Sequence, residues 1–367
     1  MAKPAGGDCN LRCAYCYYLP AARRVGSGLM SDALLARYIS ENIRIHGRRA
    51  TVEFAWHGGE PTLRGVGFFR RAMALERKYG AGRRIINTLQ TNGTLIDKEW
   101  CRFFTENDFL VGLSIDGPEY LHDRYRRGER GGSFRAALAA ARLLRSEGVS
   151  FNTLTAVNNE NSARPEELYD FLSSITNFMQ FLPVTERCAE GAPWLPNGIH
   201  SHGEGRETAP FSVTPEGWGD FLVRIFDRWS QKDVGEKYIQ NIEAAIGSML
   251  GNPSGVCLHE PTCGHAASLE ADGSLYSCDR YTDAAYRLGN LMESPLDVLM
   301  EKNRSFGLYK AESLLAECRE CRWLGLCWGG CPKDRFDGGK NYLCRGYKKF
   351  FAHLAGAVRF IKNGTRH

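Results

Sequence analysis

Residues 9–16 read Cys-Asn-Leu-Arg-Cys-Ala-Tyr-Cys, so three thiols (Cys9, Cys13 and Cys16) lie within one short stretch. A structural zinc site or a fully ligated iron–sulfur cluster takes four protein ligands. Three thiolates on a four-iron cluster leave one iron open, and an open iron can bind and activate a ligand. The alternative is a zinc ion completed by a distant ligand such as His57. The spacing alone leaves both interpretations open.

Composition places this stretch in a globular protein of a reducing compartment. The chain has 367 residues, 43% of them hydrophobic, which is enough to bury a full core and excludes disorder. It contains neither a run of about 18 to 20 apolar residues nor a signal peptide, which predicts a cytoplasmic protein with no membrane partner. The net charge of +5 is spread along the chain and predicts no nucleic-acid partner. Thirteen cysteines in the reducing cytosol indicate metal binding or catalysis rather than disulfides.

Extended segments alternate with amphipathic helical segments after the cysteine stretch. This alternation predicts repeated βα units around a parallel sheet, open or closed into a barrel, with the active site at the carboxyl ends of the strands. The predicted strands are residues 51–56, 84–88, 110–115, 149–157 and 179–184. The predicted helices are a segment N-capped by Ser31 and closed by Gly47, and residues 66–79, 97–107, 133–147 and 165–175.

A long polar connection, residues 186–212, follows the last of these strands and suggests a lid or a substrate-binding segment. Two helices are predicted next, at 215–230 and 237–250. The rest of the chain reads as short strands at 267–270 and 274–277, many turns and a final helix at 347–361.

Eight further cysteines lie in the last third of the chain. Eight thiolates divide into two groups of four, and two zinc ribbons would also satisfy that count. These cysteines are Cys257, Cys263, Cys278, Cys318, Cys321, Cys327, Cys331 and Cys344. Of the remaining two, Cys101 is predicted to be a packed thiol in a helix and Cys188 a surface thiol in the polar connection.

The C-x3-C-x2-C spacing, with Tyr15 before the third cysteine, resembles the radical S-adenosylmethionine (SAM) superfamily. The resemblance implies an α/β fold with a partial (β/α)6 barrel, and a [4Fe-4S] cluster on Cys9, Cys13 and Cys16. It also implies that the amino and carboxylate groups of SAM chelate the open iron, and that reduction of the cluster cleaves SAM to methionine and a 5′-deoxyadenosyl radical. The cofactor carries the radical chemistry, and the protein positions and shields it.

Several residues match superfamily positions that bind SAM. The Gly-Gly-Glu segment follows the strand 51–56 and is implied to receive the amino group of SAM, while a serine and an arginine would bind its polar end and a leucine would pack on the adenine. Each residue also has an ordinary interpretation, as a plain loop, a solvated arginine or a buried strand leucine. The implied SAM-binding residues are Tyr15, Gly58, Gly59, Glu60, Ser114, Arg126 and Leu182.

The late cysteines resemble the SPASM domain of radical SAM maturases, which implies two auxiliary [4Fe-4S] clusters and three clusters in all. The family, not the spacing, assigns Cys331 to the first set. One cluster would be held by Cys257, Cys263, Cys278 and Cys331, and the other by Cys318, Cys321, Cys327 and Cys344. The predicted domains are a barrel at 1–212, a helical connection at 213–256 and a SPASM domain at 257–367 that ends in a helix.

The segments WHGGEPTL, PTCGHAASLEADGSLYSCDRY and CRECRWLGLCWGGCPKDRF look like the anaerobic sulfatase-maturating enzymes. That family oxidises a Cys or Ser of a sulfatase precursor to Cα-formylglycine without oxygen. The resemblance implies hydrogen abstraction at Cβ, then loss of a proton to Asp279 and of an electron to the auxiliary clusters. Without it, Asp279 would read as a turn-capping aspartate. The implied partners are an unfolded precursor or peptide with a Cys/Ser-x-Pro/Ala-x-Arg motif and an electron donor such as flavodoxin or ferredoxin.

Two departures from the family and two rival functions complete the interpretation. Only residues 1–8 precede Cys9, where the family has a strand, and Arg280-Tyr281 stands where a histidine and an aromatic residue are expected. The first rival is a SPASM-type maturase that forms a thioether or carbon–carbon crosslink in a ribosomal peptide. The second is a non-catalytic interaction protein built on zinc ribbons.

Overall fold

The computed structural model describes residues 1–18, 28–47, 50–188, 207–336 and 339–364, with side chains as far as residue 358. No helix in this part of the chain is both long and apolar enough to cross a membrane. The strands are β1 (Val52–Trp56), β2 (Ile85–Thr91), β3 (Phe109–Ser114), β4 (Arg127–Gly128), β5 (Gly131–Gly132), β6 (Phe151–Val157), β7 (Phe178–Pro183), β8 (Arg187–Cys188), β9 (Glu207–Thr208), β10 (Tyr238–Ile239), β11 (Ser268–Leu269), β12 (Ser274–Tyr276), β13 (Arg287–Asn290), β14 (Arg335–Phe336) and β15 (Lys340–Asn341).

The α-helices alternate with the strands of the first half and then gather in the second half. They are α1 (Asp32–Ile45), α2 (Gly65–Gly80), α3 (Lys98–Glu106), α4 (Glu119–Tyr125), α5 (Phe134–Ser146), α6 (Pro165–Ile175), α7 (Pro215–Lys232), α8 (Gln240–Met249), α9 (Leu296–Glu312), α10 (Ala316–Arg319), α11 (Leu324–Cys327) and α12 (Cys344–Gly364).

Six strands form one sheet in the order β1-β2-β3-β6-β7-β10, and every neighbouring pair is parallel. This confirms the predicted α/β fold with a partial (β/α)6 barrel. The sixth strand was not expected, because residues 237–239 were predicted to begin a helix. Tyr238 instead donates its N–H to the carbonyl of Asn177 at 2.7 Å and pairs with β7.

The strands place apolar side chains on the face that the helices cover. Phe54 and Trp56 of β1 pack with Phe68 and Phe69 of α2 in the main core. Because successive side chains of a strand point to opposite faces, the residues between these positions face the barrel interior. Ser31 caps α1 as predicted, accepting the N–H of Leu34 at 3.1 Å.

Residues 1–3 supply the strand pairing that was in doubt from the sequence. Ala2 donates to Ala55 at 2.8 Å and accepts from His57 at 2.9 Å, so the segment lies parallel to β1. On its other side, Lys3 donates to the carbonyl of Leu269 at 2.9 Å, and Leu269 donates to the carbonyl of Met1 at 3.0 Å. This short segment therefore connects the barrel sheet with the antiparallel sheet β11-β12-β13.

The C-terminal third contains more helix than its sequence suggested. Helix α9 was missed because its buried positions include Asn303, Gly307 and Lys310, which break the apolar periodicity of an amphipathic helix. The final helix is longer than predicted and begins at Cys344. It packs along α7, where Gly346 and Gly219 allow the two backbones to approach closely.

The two cysteines outside the cysteine groups are both buried. Cys101 lies in the main core, which confirms the predicted packed thiol. Cys188 was predicted to be a surface thiol, and this was wrong. It lies in β8, which pairs with β9, and its side chain is buried. Residues 189–206 of the polar connection lie outside the described residues.

Candidate functional site

The Cys9–Cys16 loop lies at the carboxyl edge of the parallel sheet and is held there by backbone hydrogen bonds. Glu60 N–H donates to the carbonyl of Asp8 at 2.8 Å just before the first thiol. Arg12 N–H donates to Arg127 at 2.7 Å, and Ala14 N–H donates to Tyr125 at 3.0 Å. The three predicted ligands therefore meet the strand ends at which active sites of such sheets form.

The Gly-Gly-Glu segment after β1 packs directly against this loop. A Cβ on Gly59 would lie 2.1 Å from the carbonyl oxygen of Asp8, and Gly58 has a φ of +125°, so both positions require glycine. The Glu60 carboxylate is buried and accepts hydrogen bonds from Thr62, Thr91 and the Asn92 N–H. Burial raises the pKa of Glu60, and these bonds oppose that rise. Its side chain ties the segment to the end of β2.

The thiols of the loop are half-buried and close to one another. Electrostatic interactions join Cys9, Cys13 and Cys16, and Cys9 Sγ accepts the N–H of Leu11 at 3.4 Å. Burial raises the pKa of Cys9 and of Cys13 to about 12. A buried thiolate therefore needs a compensating positive charge, which fits a site where iron supplies that charge.

A buried ion pair lies behind the loop, and its acid was missed in the sequence. Asp116 follows β3 and lies 3.0 Å from Nε of Arg126, while Tyr15 Oη also donates to it. Its other oxygen accepts the N–H of Ala156 at 3.0 Å. Ser114, two residues earlier, is buried at the end of β3. Predicted residues Tyr15, Ser114 and Arg126 are thus brought together around Asp116, whose signal was its place directly after a strand end.

Leu182 is more exposed than an ordinary buried strand leucine. It lies near the carboxyl end of β7, and its neighbour Phe181 is buried in the core against α7. Leu182 itself is 41% exposed. Because neighbouring side chains alternate, Leu182 faces the barrel interior, where an exposed aliphatic surface can pack against a flat apolar ligand.

The late cysteines form two groups, which we name the first and second C-terminal sets. In the first set, electrostatic interactions join Cys331 to both Cys257 and Cys278, and Cys257 to Cys263. In the second set they join Cys344 to Cys318 and Cys321, and Cys327 to Cys344 and Cys318. The four thiols of the second set line one cavity together with Trp323, Tyr347 and Phe351.

This grouping places Cys331 with thiols far from it in sequence, as the resemblance implied. Within the described chain, no three His, Cys, Asp or Glu side chains converge closely enough to hold a single metal ion. The pKa of Cys331 is raised to about 11 by burial, as is that of Cys327 in the second set. Both sets thus present thiols in fours, the ligand number of a fully ligated cluster.

The buried Lys310 and the half-buried Arg335 lie beside these sets, and neither was identified from the sequence. Lys310 donates to the carbonyls of Cys257, Leu258 and Glu260. Arg335 donates to the carbonyls of Trp328 and Gly329 and interacts electrostatically with thiols of both sets. A lysine or arginine in a polar segment carries no sequence signal that distinguishes these roles from solvation.

Asp279 lies where the first C-terminal set meets the barrel edge. Tyr17 Oη donates to it at 2.6 Å, and Cys278 Sγ lies 3.1 Å from its other oxygen. Burial alone would raise the pKa of Asp279, but His57 and the Tyr17 hydroxyl outweigh burial and lower the pKa to about 2. Burial lowers the pKa of His57 to about 4, so this ring is neutral near pH 7.

His57 is a second residue whose position the sequence did not explain. It follows β1, lies close to Asp279 and makes a side-chain hydrogen bond with Gln90. Its Nδ1 is buried and has no hydrogen-bond partner in the part of the chain that is described. Buried polar atoms are normally satisfied, so this nitrogen is an exception among the described residues.

The unusual Arg280 has a structural partner. Its guanidinium forms two hydrogen bonds with Asp334, at 2.7 and 3.1 Å, and Thr185 donates to the same carboxylate at 2.7 Å. Thr185 follows β7, so this network fastens the Asp279 turn to the barrel. Arg280, which stands where a histidine was expected, thus belongs to a hydrogen-bond network that connects the C-terminal third with the barrel.

Comparison with known proteins agrees with this arrangement. Residues 4–172 match the family described as Radical SAM superfamily. The serine-type anaerobic sulfatase-maturating enzyme of Bacteroides thetaiotaomicron is 42% identical and covers 99% of this chain and 90% of its own length. The cysteine-type enzyme of Clostridium perfringens is 34% identical over 100% of this chain and 98% of its own. A solved structure, native anSMEcpe with bound AdoMet and Cp18Cys peptide, has a TM-score of 0.87 and 31% identity over 100% of this chain and 98% of that one.

Proposed function

We infer that this chain, which belongs to the radical SAM superfamily and within it to the anaerobic sulfatase-maturating enzymes, oxidises a Cys or Ser of a sulfatase precursor to Cα-formylglycine. Whole-length similarity to both the serine and cysteine types supports the assignment. The observation that carries it is the 2.6 Å hydrogen bond between Tyr17 and Asp279. It brings a carboxylate of the cysteine-rich third to the edge of the barrel, one residue beyond Cys16.

The proposal includes SAM and three [4Fe-4S] clusters, bound by the Cys9–Cys16 loop and by the two C-terminal sets. When bound, these groups supply a 5′-deoxyadenosyl radical that takes a hydrogen atom from the substrate Cβ, and an acceptor for the electron that then leaves. The donor sets fit because their thiols are grouped and because burial raises the pKa of Cys9, Cys13 and Cys331 more than the neighbouring arginines lower it.

The residues at the barrel edge would hold SAM. The backbone of Gly58 and Gly59 would accept its amino group, and Glu60 would act as a positioning residue through its bonds to Thr62 and Thr91. Arg126, aligned by Asp116, would bind the polar end of SAM together with Ser114 and Tyr15. Leu182 would cover the adenine and exclude water from that face.

Asp279 would accept the proton that the substrate releases after hydrogen abstraction. Its low pKa keeps the carboxylate ionised near pH 7, so an oxygen is free of protons when the substrate arrives. Tyr17 fixes the orientation of the carboxylate.

The partner in this proposal is an unfolded precursor or peptide with a Cys/Ser-x-Pro/Ala-x-Arg motif, and a flavodoxin or ferredoxin would supply electrons. We place the enzyme in the cytoplasm, where reducing conditions protect cluster thiolates. We also retain the domain division at 212 and 256, with the hydrogen bond from Thr185 to Asp334 as one connection between the barrel and the C-terminal domain.

Anaerobic incubation with SAM, reductant and two peptides tests the function. Conversion of Cys to formylglycine removes about 18 mass units and conversion of Ser removes about 2, as follows from the atoms exchanged. A crosslink also removes about 2, so the Ser product must additionally react with a hydrazide, which only an aldehyde does. Hydrazide-reactive product from either peptide supports sulfatase maturation. Crosslinked product without an aldehyde would establish the rival maturase instead.

A further inference from the structure

One face of helix α9 contacts the backbone segments that carry cysteines of the first C-terminal set. Asn303, Gly307 and Lys310 are spaced four and three residues apart, so they share a face of the helix, and all three are buried. Asn303 donates to the carbonyls of Gly264 and Ser277, which adjoin Cys263 and Cys278. A Cβ on Gly307 would lie 2.4 Å from the carbonyl oxygen of Cys263.

Lys310 continues this face and is fully buried. Its Nζ donates to the carbonyls of Cys257 at 2.6 Å, Leu258 at 3.1 Å and Glu260 at 2.6 Å. Three acceptors require three N–H groups, so the amine is held as a charged ammonium. Because these acceptors are neutral carbonyls, its charge is directed into the surroundings rather than cancelled by a carboxylate.

The charge of Lys310 acts mainly on one set. Lys310 interacts electrostatically with Cys257, Cys263 and Cys331 of the first set, and less strongly with Cys327 of the second. A fixed positive charge in a buried site stabilises the more negative, reduced form of a bound cluster and so raises its reduction potential. Charge and hydrogen bonding around the sulfurs are the two means by which a protein tunes such a centre.

We propose that Lys310 is a positioning residue that holds the Cys257 loop and raises the reduction potential of the cluster on the first C-terminal set. This makes that cluster, which lies beside Asp279, the acceptor of the substrate's electron. The substrate radical at Cβ then loses one proton to Asp279 and one electron to this cluster as the double bond to sulfur or oxygen forms. The inference rests on the proposed function only for the identity of the substrate.

A redox titration of the full chain tests the proposal. Cys9, Cys13 and Cys16 are replaced by Ala so that only the two C-terminal sets bind iron, and the titration is followed by electron paramagnetic resonance. Lys310→Met removes the charge and keeps the length of the side chain. Lys302→Met is the matched control, since Lys302 lies on the same helix, is exposed and donates only to the carbonyl of Leu288 at 3.2 Å.

We expect Lys310→Met to move one of the two midpoint potentials to a more negative value and to move the other by less, while Lys302→Met moves neither. Selective loss of about four of the eight irons from Lys310→Met would equally support its positioning role. Both potentials unchanged in an iron-loaded variant would overturn the proposal. If Lys310→Met loses all iron, Lys310→Gln, which keeps one donor, is titrated with the same two criteria.

The coupling of SAM cleavage to product is a second readout, made with the three-cluster enzyme. A weaker electron acceptor should raise the ratio of 5′-deoxyadenosine to formylglycine several-fold in Lys310→Met, and an unchanged ratio would count against the acceptor role. The titration contains no peptide, so it remains decisive even if sulfatase maturation itself fails.

Discussion

The Cys9–Cys16 loop and the first C-terminal set offer the same ligand type in different electrostatic surroundings. Around the loop, the buried charges include the carboxylates of Glu60 and Asp116, the latter paired with Arg126. Around the C-terminal set, the ammonium of Lys310 and the guanidinium of Arg335 are bonded to carbonyl oxygens. Asp279 and the Arg280–Asp334 pair also lie beside this set, which leaves it with an excess of positive charge. Around the loop, Arg12 and Arg126 balance the two carboxylates.

This difference assigns different electron-transfer roles to the two regions. A cluster in balanced or negative surroundings has a low potential and is a strong donor, as cleavage of SAM requires. A cluster with an excess of cations around it has a higher potential and is a better acceptor. The comparison therefore predicts that the electron leaves the substrate for the cluster of the first C-terminal set. Variants of each region test this prediction.

The largest effect should come from removing the open-iron site. Cys13→Ala should abolish SAM cleavage and leave about eight irons in the C-terminal sets, because those sets share no ligand with the loop. Iron analysis and a 5′-deoxyadenosine assay measure both quantities. Cys101→Ala is the control, since that thiol lies in the core and should retain all iron. An unchanged iron count in Cys13→Ala would refute the separation of the regions.

Removing the proton acceptor should separate radical formation from product formation. Asp279→Asn should retain all three clusters and cleave SAM, but its yield of formylglycine should fall by about a hundredfold or more because a general base is lost. Mass spectrometry of the peptide and the 5′-deoxyadenosine assay, run on the same sample, test this. Wild-type product levels would remove Asp279 from the mechanism.

Each region contains a glycine at which an added Cβ would collide with the backbone that carries its cysteines, so replacement by alanine tests the two regions in the same way. Gly59→Ala places a Cβ 2.1 Å from Asp8, and Gly307→Ala places one 2.4 Å from Cys263. Each should cost about 1–3 kcal/mol through overpacking and selectively lower iron in its own region. Gly356→Ala in α12 has no atom near the new Cβ and should lose no iron. Equal iron loss from both regions in either variant would show that the two are not independent.

The smallest effect should come from the adenine surface. Leu182→Ala should raise the KM for SAM by about tenfold, or about 1.4 kcal/mol, by removing apolar area that SAM would bury. Cluster content should not change. Val234→Ala is the matched control. This exposed residue precedes β10 and so lies toward the amino ends of the strands, whereas Leu182 lies toward their carboxyl ends. A KM equal to that of the parent enzyme would exclude Leu182 from the SAM site.

The local features of the molecule could be predicted from the sequence. The strands were identified because hydrophobic alternation is local, and the Cys9–Cys16 loop and the Gly-Gly-Glu segment were identified because each is a short motif beside a strand end. The grouping of Cys331 with Cys257 came from resemblance alone, since spacing does not report which distant thiols meet.

Features that depend on distant partners could not be predicted. Helix α9 was missed because the polar residues on its buried face are satisfied by carbonyls of another segment. Asp116 and Lys310 look like solvated charges until their partners are known. The burial of Cys188 likewise depends on β9, which lies across the polar connection.

The pairing of residues 1–3 with β11 sets an order of events during synthesis. Lys3 and its ion-pair partner Glu270 are separated by 267 residues, so at normal elongation rates the partner emerges from the ribosome roughly 15 to 50 s after the lysine. Until then the strand beside β1 has a partner on one side only. The nascent chain therefore completes the surroundings of its first three thiols near the end of translation, and iron loading of that loop in its final form must follow release of the C-terminal third.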